Sequence, residues 1–213
     1  MAKLNRIVAA TGNPNKLKEL QVVGARFDIE IIAPSTIQSE LNLSEPPEVD
    51  ENGTTYYENA KLKADQYLEW CGQPCLGDDS GLEVTALGNI PGLRSARYLG
   101  DGLSYEVRMK NLIDLLQERE QAGEPRNREA FYHCSLVLAL PSGVELTAAS
   151  KIEGEILDEF RGTGGFGYDP IFLITELGQT FAEIDFSVTC TKGFRARAAE
   201  HLFSNIVENS PGH

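Results

Sequence analysis

Short apolar blocks alternate with amphipathic stretches along most of this chain. Ile7-Val8-Ala9-Ala10 is a compact apolar run and predicts a buried strand. Leu17, Leu20 and Val23 then recur at helical spacing, with Lys18 and Glu19 on another side, so a helix follows. Phe27 to Ala33 predicts a second strand, and Pro34 to Gly53 lacks periodicity and reads as a long loop with an acidic centre at Glu45, Glu48, Asp50 and Glu51. Thr55-Tyr56-Tyr57-Glu58 has capping-box spacing and opens a helix to about Trp70, with Ala60, Ala64, Tyr67 and Leu68 inward. Lys61 and Lys63 fall on different sides of it, so at most one faces any given site. Leu82 to Leu87 suits a strand, Gly88 to Gly92 a turn, and Ser104 caps a helix to about Glu120. Gln117 to Arg128 is charged and reads as a solvated helix end and linker. Ala130 to Leu140 and Val144 to about Ile156 form a strand pair around Pro141-Ser142-Gly143, and Arg195 to Asn209 closes as a helix. Early alternation and a late antiparallel pair predict an α/β protein with a mixed sheet.

Three polar stretches interrupt this pattern. In Gly77-Asp78-Asp79-Ser80-Gly81, adjacent carboxylates follow the apolar Cys75-Leu76. Such a pair, if buried, needs a cation or a shared proton, which favours a metal site; the same residues are ordinary turn formers. Thr11-Gly12-Asn13-Pro14-Asn15-Lys16 joins a strand end to a helix start. It is either an anion loop, with free amides, helix dipole and Lys16 aimed at the ligand, or a plain Asn-capped connection. Gly162 to Pro170 contains four glycines in its first six residues together with Phe166, Tyr168 and Asp169. Close backbone approach plus aromatic faces suits a nucleotide. His133, beside an apolar run, reads as a hydrogen-bonded core residue.

Composition narrows the partners. The 213 residues make one domain or two lobes sharing a core, and 41% apolar content supplies an interior. With 32 acidic and 19 basic side chains the net charge is −13, which argues against nucleic acid or an anionic membrane as partner. A small phosphorylated ligand needs only a few local cations. No run is long enough to span a bilayer and no signal-peptide block opens the chain, so a soluble cytoplasmic protein is expected. Cys71, Cys75, Cys134 and Cys190 lack a zinc spacing and read as free thiols in a reducing compartment.

Taken in order, these stretches resemble the inosine triphosphate pyrophosphatase family, which hydrolyses noncanonical purine nucleoside triphosphates. The resemblance rests on Thr11-Gly12-Asn13 with Lys16; Gly53 to Ala60 with Lys63-Ala64; Asp78 to Leu82; Pro91-Gly92 with Ser95 to Tyr98; and Gly162 to Pro170. It implies one pyrophosphatase domain over 1–213, an elongated two-lobed α/β fold with a long mixed sheet flanked by helices, and an active site in the cleft between lobes. It implies a homodimer and a magnesium-dependent cut of ITP, dITP or XTP to the monophosphate and pyrophosphate. By position, Asp79 would be general base and metal group, and Asp50 or Glu51 the second metal carboxylate. Thr11, Gly12, Asn13, Lys16 and Lys63 would hold the triphosphate, with Ser80 beside them. Phe166, Gly167, Tyr168 and Asp169 would hold base and sugar, and Arg195 would grip substrate from the last helix.

One departure stands out. The family places a Lys four residues before a Ser-His-Arg triplet; here these positions are Thr189 and Gly193-Phe194-Arg195. Phe194 donates no hydrogen bond and would stack instead. Two alternatives follow: the same chemistry with shifted base choice, or a nucleotide-binding protein without turnover.

Overall fold

The first apolar block forms strand β1 (Arg6–Ala10), buried over its last four residues. The structure is a computed structural model, and it describes residues 4–208. Helix α1 (Pro14–Ala25) begins with proline, where no amide is lost, and Asn13 Oδ1 accepts the amides of Asn15 and Lys16 at 2.9 and 3.4 Å. Strand β2 (Glu30–Ile32) is shorter than expected because the chain turns at Asp28, where φ is 56°. The loop expected over 34–53 fails at its start: Pro34–Leu41 is helix α2, ended by Asn42 at φ 52°. Its polar run around Ile37 hides the period.

Helix α3 (Tyr56–Cys71) starts where its cap predicts, Thr55 Oγ1 accepting the Glu58 amide at 3.1 Å. Strand β3 (Cys75–Val84) is unbroken, so the turn reading of 77–81 is wrong. Gly77 serves packing instead: a Cβ there would lie 1.9 Å from the carbonyl oxygen of Ala60. The remaining elements are β4 (Ile90–Pro91), α4 (Tyr105–Gln121) capped by Ser104, β5 (Glu129–Ala139), β6 (Glu145–Ile156), β7 (Phe172–Ile174), β8 (Gln179–Thr180), α5 (Phe186–Lys192) and α6 (Phe194–Glu208). The sequence reading missed β4, which lies in the expected turn at 88–92, and β7, β8 and α5, each too short to show a period.

The strands form one mixed sheet in the order β2-β1-β3-β5-β6-β7-β8, with β4 on β3, flanked by helices. The chain divides into two compact units, and β3, β5 and β6 each run from one into the other. The first takes residues up to 79, 134–150 and from 190 onward. There β1 pairs in parallel with β2 and with β3, placing Val8 opposite Cys75 and Ala10 opposite Gly77. The acidic loop is fastened by its own apolar residues: Leu43 and Val49 pack against the core cluster that includes Val8, Ile37 and Tyr67, and Trp70 Nε1 donates to Ser44 O at 3.1 Å.

The second unit takes 80–133 and 151–189. Its centre is an aromatic group, Tyr132 lying 4.7 Å from Phe172 and 5.7 Å from Phe181 between ring centroids. Buried Arg108 donates to the carbonyls of Tyr98, Gly100 and Leu103 and so fixes the loop before α4. The linker reading of 117–128 fails at Arg128, which is buried with its guanidinium 2.7 Å from Glu120 and 2.6 Å from Asp158.

All four cysteines are free and buried. Among the described residues, no helix is long and apolar enough to cross a membrane.

Candidate active site

Strand geometry resolves the problem of two adjacent carboxylates. Successive side chains on β3 point to opposite faces, so the Asp78 and Asp79 carboxylates meet different partners. Gly77 and Asp79 face α3. Because Gly77 lets the α3 backbone lie directly on the strand, Lys63 reaches past it: Nζ is 3.1 Å from Asp79 Oδ1 and donates to the Asp78 carbonyl at 2.9 Å. The same ammonium is 3.0 Å from Glu51 Oε2, brought in by the acidic loop. One helical turn before Lys63, Asn59 Nδ2 donates to Asp79 Oδ2 at 3.2 Å, while its Oδ1 accepts the Gly53 amide at 2.8 Å. Lys61 lies on the other side, 2.6 Å from Glu145 and 3.0 Å from Asp65.

Electrostatics follow from this cage. Asp79 is 5% exposed. Burial pushes its carboxyl up, Lys63 and Lys16 pull it down, and with Glu51 adding to the rise the net shift is upward. Glu51 moves the other way. Burial raises it, but Lys63 and a hydrogen bond with Asp79 outweigh that. Asp79 is the deeper of the pair, with 7% against 29% side-chain exposure, which is why burial weighs more on it than on Glu51. Burial works to lower Lys63, and the two carboxylates overcome it and raise its pKa.

Asp78 faces the opposite way, toward α1 and α6. Lys16 Nζ lies 2.6 Å from Oδ1 and Arg195 Nε 2.6 Å from Oδ2. Arg195 continues to Glu19, its Nη1 3.0 Å from both carboxylate oxygens. Burial opposes ionisation of Asp78, and the two cations win, holding it well below the usual carboxylate range. Arg195 is 1% exposed. The substrate grip expected of it meets a buried ion network instead, because helix α6 starts against the strand and not in solvent. Phe194 is buried too: the Arg195 guanidinium sits 5.1 Å from its ring centroid, and its carbonyl accepts from Ser150 Oγ. The ring expected to stack on a base packs against protein.

The Thr11 to Lys16 loop forms the Asn-capped connection of its plainer reading. Thr11 Oγ1 accepts the Asn13 amide at 3.1 Å, and Asn13 takes the first helical amides. Those two helical amides are therefore already bonded, and Lys16 Nζ is held by Asp78. A Cβ on Gly12 would meet open space, so nothing in the protein crowds the loop there. Asp50 turns away: Asn52 donates to its side chain at 3.3 Å and to its backbone carbonyl at 3.0 Å.

In the second unit, Ser80 lies half-buried on β3. The glycine-rich loop is tied down from within. Asp169 accepts the Phe166 amide at 2.8 Å and the Tyr132 hydroxyl at 3.1 Å, and a Cβ on Gly165 would lie 2.3 Å from Asp169 Oδ2. Tyr168 is 2% exposed, its hydroxyl donating to Ser95 O at 2.8 Å. Tyr168 and Asp169 thus shape the loop, and Phe166 and Gly167 are its half-buried surface.

Two residues escaped the sequence reading. Asn59 stands four positions before Lys63 and Glu19 three after Lys16; that helical spacing was the available signal. Among the described residues no three His, Cys, Asp or Glu gather to hold a metal by protein atoms alone. Two carboxylates meeting on one ammonium fit a hard cation that also takes phosphate oxygens and water, which is the habit of magnesium.

A model described as the Ham1 family matches residues 7–205. A dITP/XTP pyrophosphatase of Listeria monocytogenes is 38% identical over 209 residues, covering 96% of each chain. One of Geobacter sulfurreducens is 40% identical over 203 residues, covering 95% of this chain and 97% of its own. Among solved structures, a HAM1 protein from Coxiella burnetii superposes with a TM-score of 0.82 at 33% identity, covering 96% of this chain and 99% of that one.

Proposed function

The chain belongs to the Ham1 family, and on that premise we propose that it hydrolyses noncanonical purine nucleoside triphosphates such as dITP and XTP to the monophosphate and pyrophosphate. The observation that carries this reading is Lys63 binding two carboxylates from separate elements, Glu51 and Asp79. We read the whole chain as one catalytic domain, homodimeric and cytoplasmic, on the strength of the family resemblance.

Asp79 is the general base. Burial makes it a stronger base than an exposed aspartate, and Asn59 and Lys63 fix both its oxygens so that a water's proton has one acceptor. Glu51 and Asp79 would hold Mg²⁺, with Asp50 outside the pair. Bound there, the ion supplies positive charge to the phosphate oxygens and acidifies water. Lys16 and Lys63 stabilise charge that develops on the departing pyrophosphate, and Thr11, Gly12 and Asn13 leave room for the phosphates. Ser80 follows Asp79 and reaches the same substrate. Phe166 offers a ring to the base and Gly167 an uncrowded backbone to base or sugar. Arg195 positions Asp78 and does not touch substrate.

Neither the shifted-base nor the non-catalytic alternative is favoured. Phe194 is packed inside the protein, and the Asp79–Lys63–Glu51 group is complete. Purified protein incubated with dITP, XTP, GTP and ATP in Mg²⁺ should release pyrophosphate from the first two fastest. Orthophosphate as first product, or no release from any triphosphate, overturns the proposal.

A further inference from the structure

Ser95 lies in a segment to which the proposed chemistry assigns no role. It sits on a 3-10 turn (Gly92–Arg97) and is buried. Its hydroxyl is bonded in both senses: it donates to Gly92 O at 2.6 Å and accepts the Leu82 amide at 2.9 Å. Leu82 belongs to β3, three residues after Asp79. The short β4 ladder pairs Glu83 with Pro91 and Val84 with Ile90 and goes no further, so the Ser95 side chain takes the next strand amide in its place. The carbonyl of the same residue accepts the Tyr168 hydroxyl at 2.8 Å. Tyr168 stands edge-on to Tyr105 at 5.3 Å, and a Cβ on Gly167 would meet that same Tyr105 ring at 3.7 Å.

We propose that Ser95 is a positioning residue for the reaction within the second unit, a bridge whose hydroxyl holds β3 at Leu82, two residues after Ser80, and whose carbonyl holds the loop carrying Phe166 and Gly167. The physical ground is that each half of the bridge is buried and single. An unmade bond to the Leu82 amide or the Tyr168 hydroxyl has no water to replace it. Ser80 and the glycine-rich loop, both in the second unit and tied through one residue, keep a fixed spacing, and a nucleotide that touches both feels any loss of it. This rests on the hydrolase reading, but the bridge itself is measurable without turnover.

The test uses Ser95→Ala, Ser95→Thr, Tyr168→Phe and the Ser95→Ala/Tyr168→Phe double variant of the full chain. In hydrogen exchange, Ser95→Ala should speed exchange of peptides covering 77–84 and 162–170 together, and Ser95→Thr should restore both. In kinetics, Ser95→Ala and Tyr168→Phe should each raise KM for dITP about tenfold with kcat within about threefold, and the double variant should be no worse than the worse single one. Unchanged exchange at 162–170 in Ser95→Ala, or additive KM effects, overturns the bridge. If Ser95→Ala does not fold, Tyr168→Phe decides alone: wild-type exchange over 77–84 and wild-type KM reject the proposal. Absence of pyrophosphate release from the wild-type protein is a separate failure. It removes the hydrolase reading and leaves the exchange result to judge the bridge.

Discussion

Asp78 and Asp79 are neighbours of the same chemical type with opposite environments. One residue of strand separates a carboxylate locked between Lys16 and Arg195 from one caged by Lys63, Asn59 and Glu51. Their substitutions should therefore fail in different ways. Asp79→Asn should lower kcat by about a thousandfold or more through loss of the base, with the urea midpoint near that of the wild type. Asp78→Asn should destabilise by about 3 kcal/mol, since it leaves the buried Arg195 short of a counter-charge. Steady-state pyrophosphate assays beside urea unfolding separate the two. Full activity in Asp79→Asn would remove it as the base.

At the scale of elements, helix α3 is the part that sorts its lysines. Lys61 and Lys63 are two apart in sequence, and the helix sends them to opposite surroundings. Lys61→Ala breaks exposed pairs worth at most about 0.5–1 kcal/mol and should leave kcat unchanged. Lys63→Ala should lower kcat about a hundredfold or more. Equal effects from both would refute the assigned face. The helix could be read from its cap at Thr55 and its apolar period, and so could the opposed lysines. Which lysine met the carboxylates depended on Gly77, whose missing side chain brings α3 onto β3. Nothing local marks that glycine as a packing residue, so the sequence left its stretch open between a metal site and a turn.

For the whole molecule, the net charge of −13 coexists with buried or half-buried cations on both faces of β3, Lys16 and Arg195 on Asp78 and Lys63 on Asp79. Within the first unit, Arg195 joins α6 to β3 through Asp78 and to α1 through Glu19. Arg195→Met strands two buried carboxylates at once and should cost about 3–5 kcal/mol of stability in urea unfolding at neutral pH. A loss below about 1 kcal/mol would show that the network contributes little. The acidic loop belongs to the same scale. Its carboxylates were visible in sequence, but Leu43 and Val49, which fasten it to the core, were not read as anchors. That fastening delivers Glu51 to Lys63 and leaves Asp50 with Asn52.

The sequence by itself determined the α/β class, the longer helices and strands, the capping residues and the ordered motifs that point to the family. These are local or additive properties: apolar period, cap chemistry and residue type are written within a few positions. Only the tertiary structure decided that β3 runs straight through the paired aspartates, that Arg195 and Phe194 face inward, and that Tyr168 and Asp169 brace their own loop. Each of those depends on a partner far along the chain, such as Ala60 for Gly77, Glu19 for Arg195 or Ser95 for Tyr168. Side-chain type fixes what a residue can bond, and only packing fixes which partner is within 3 Å of it.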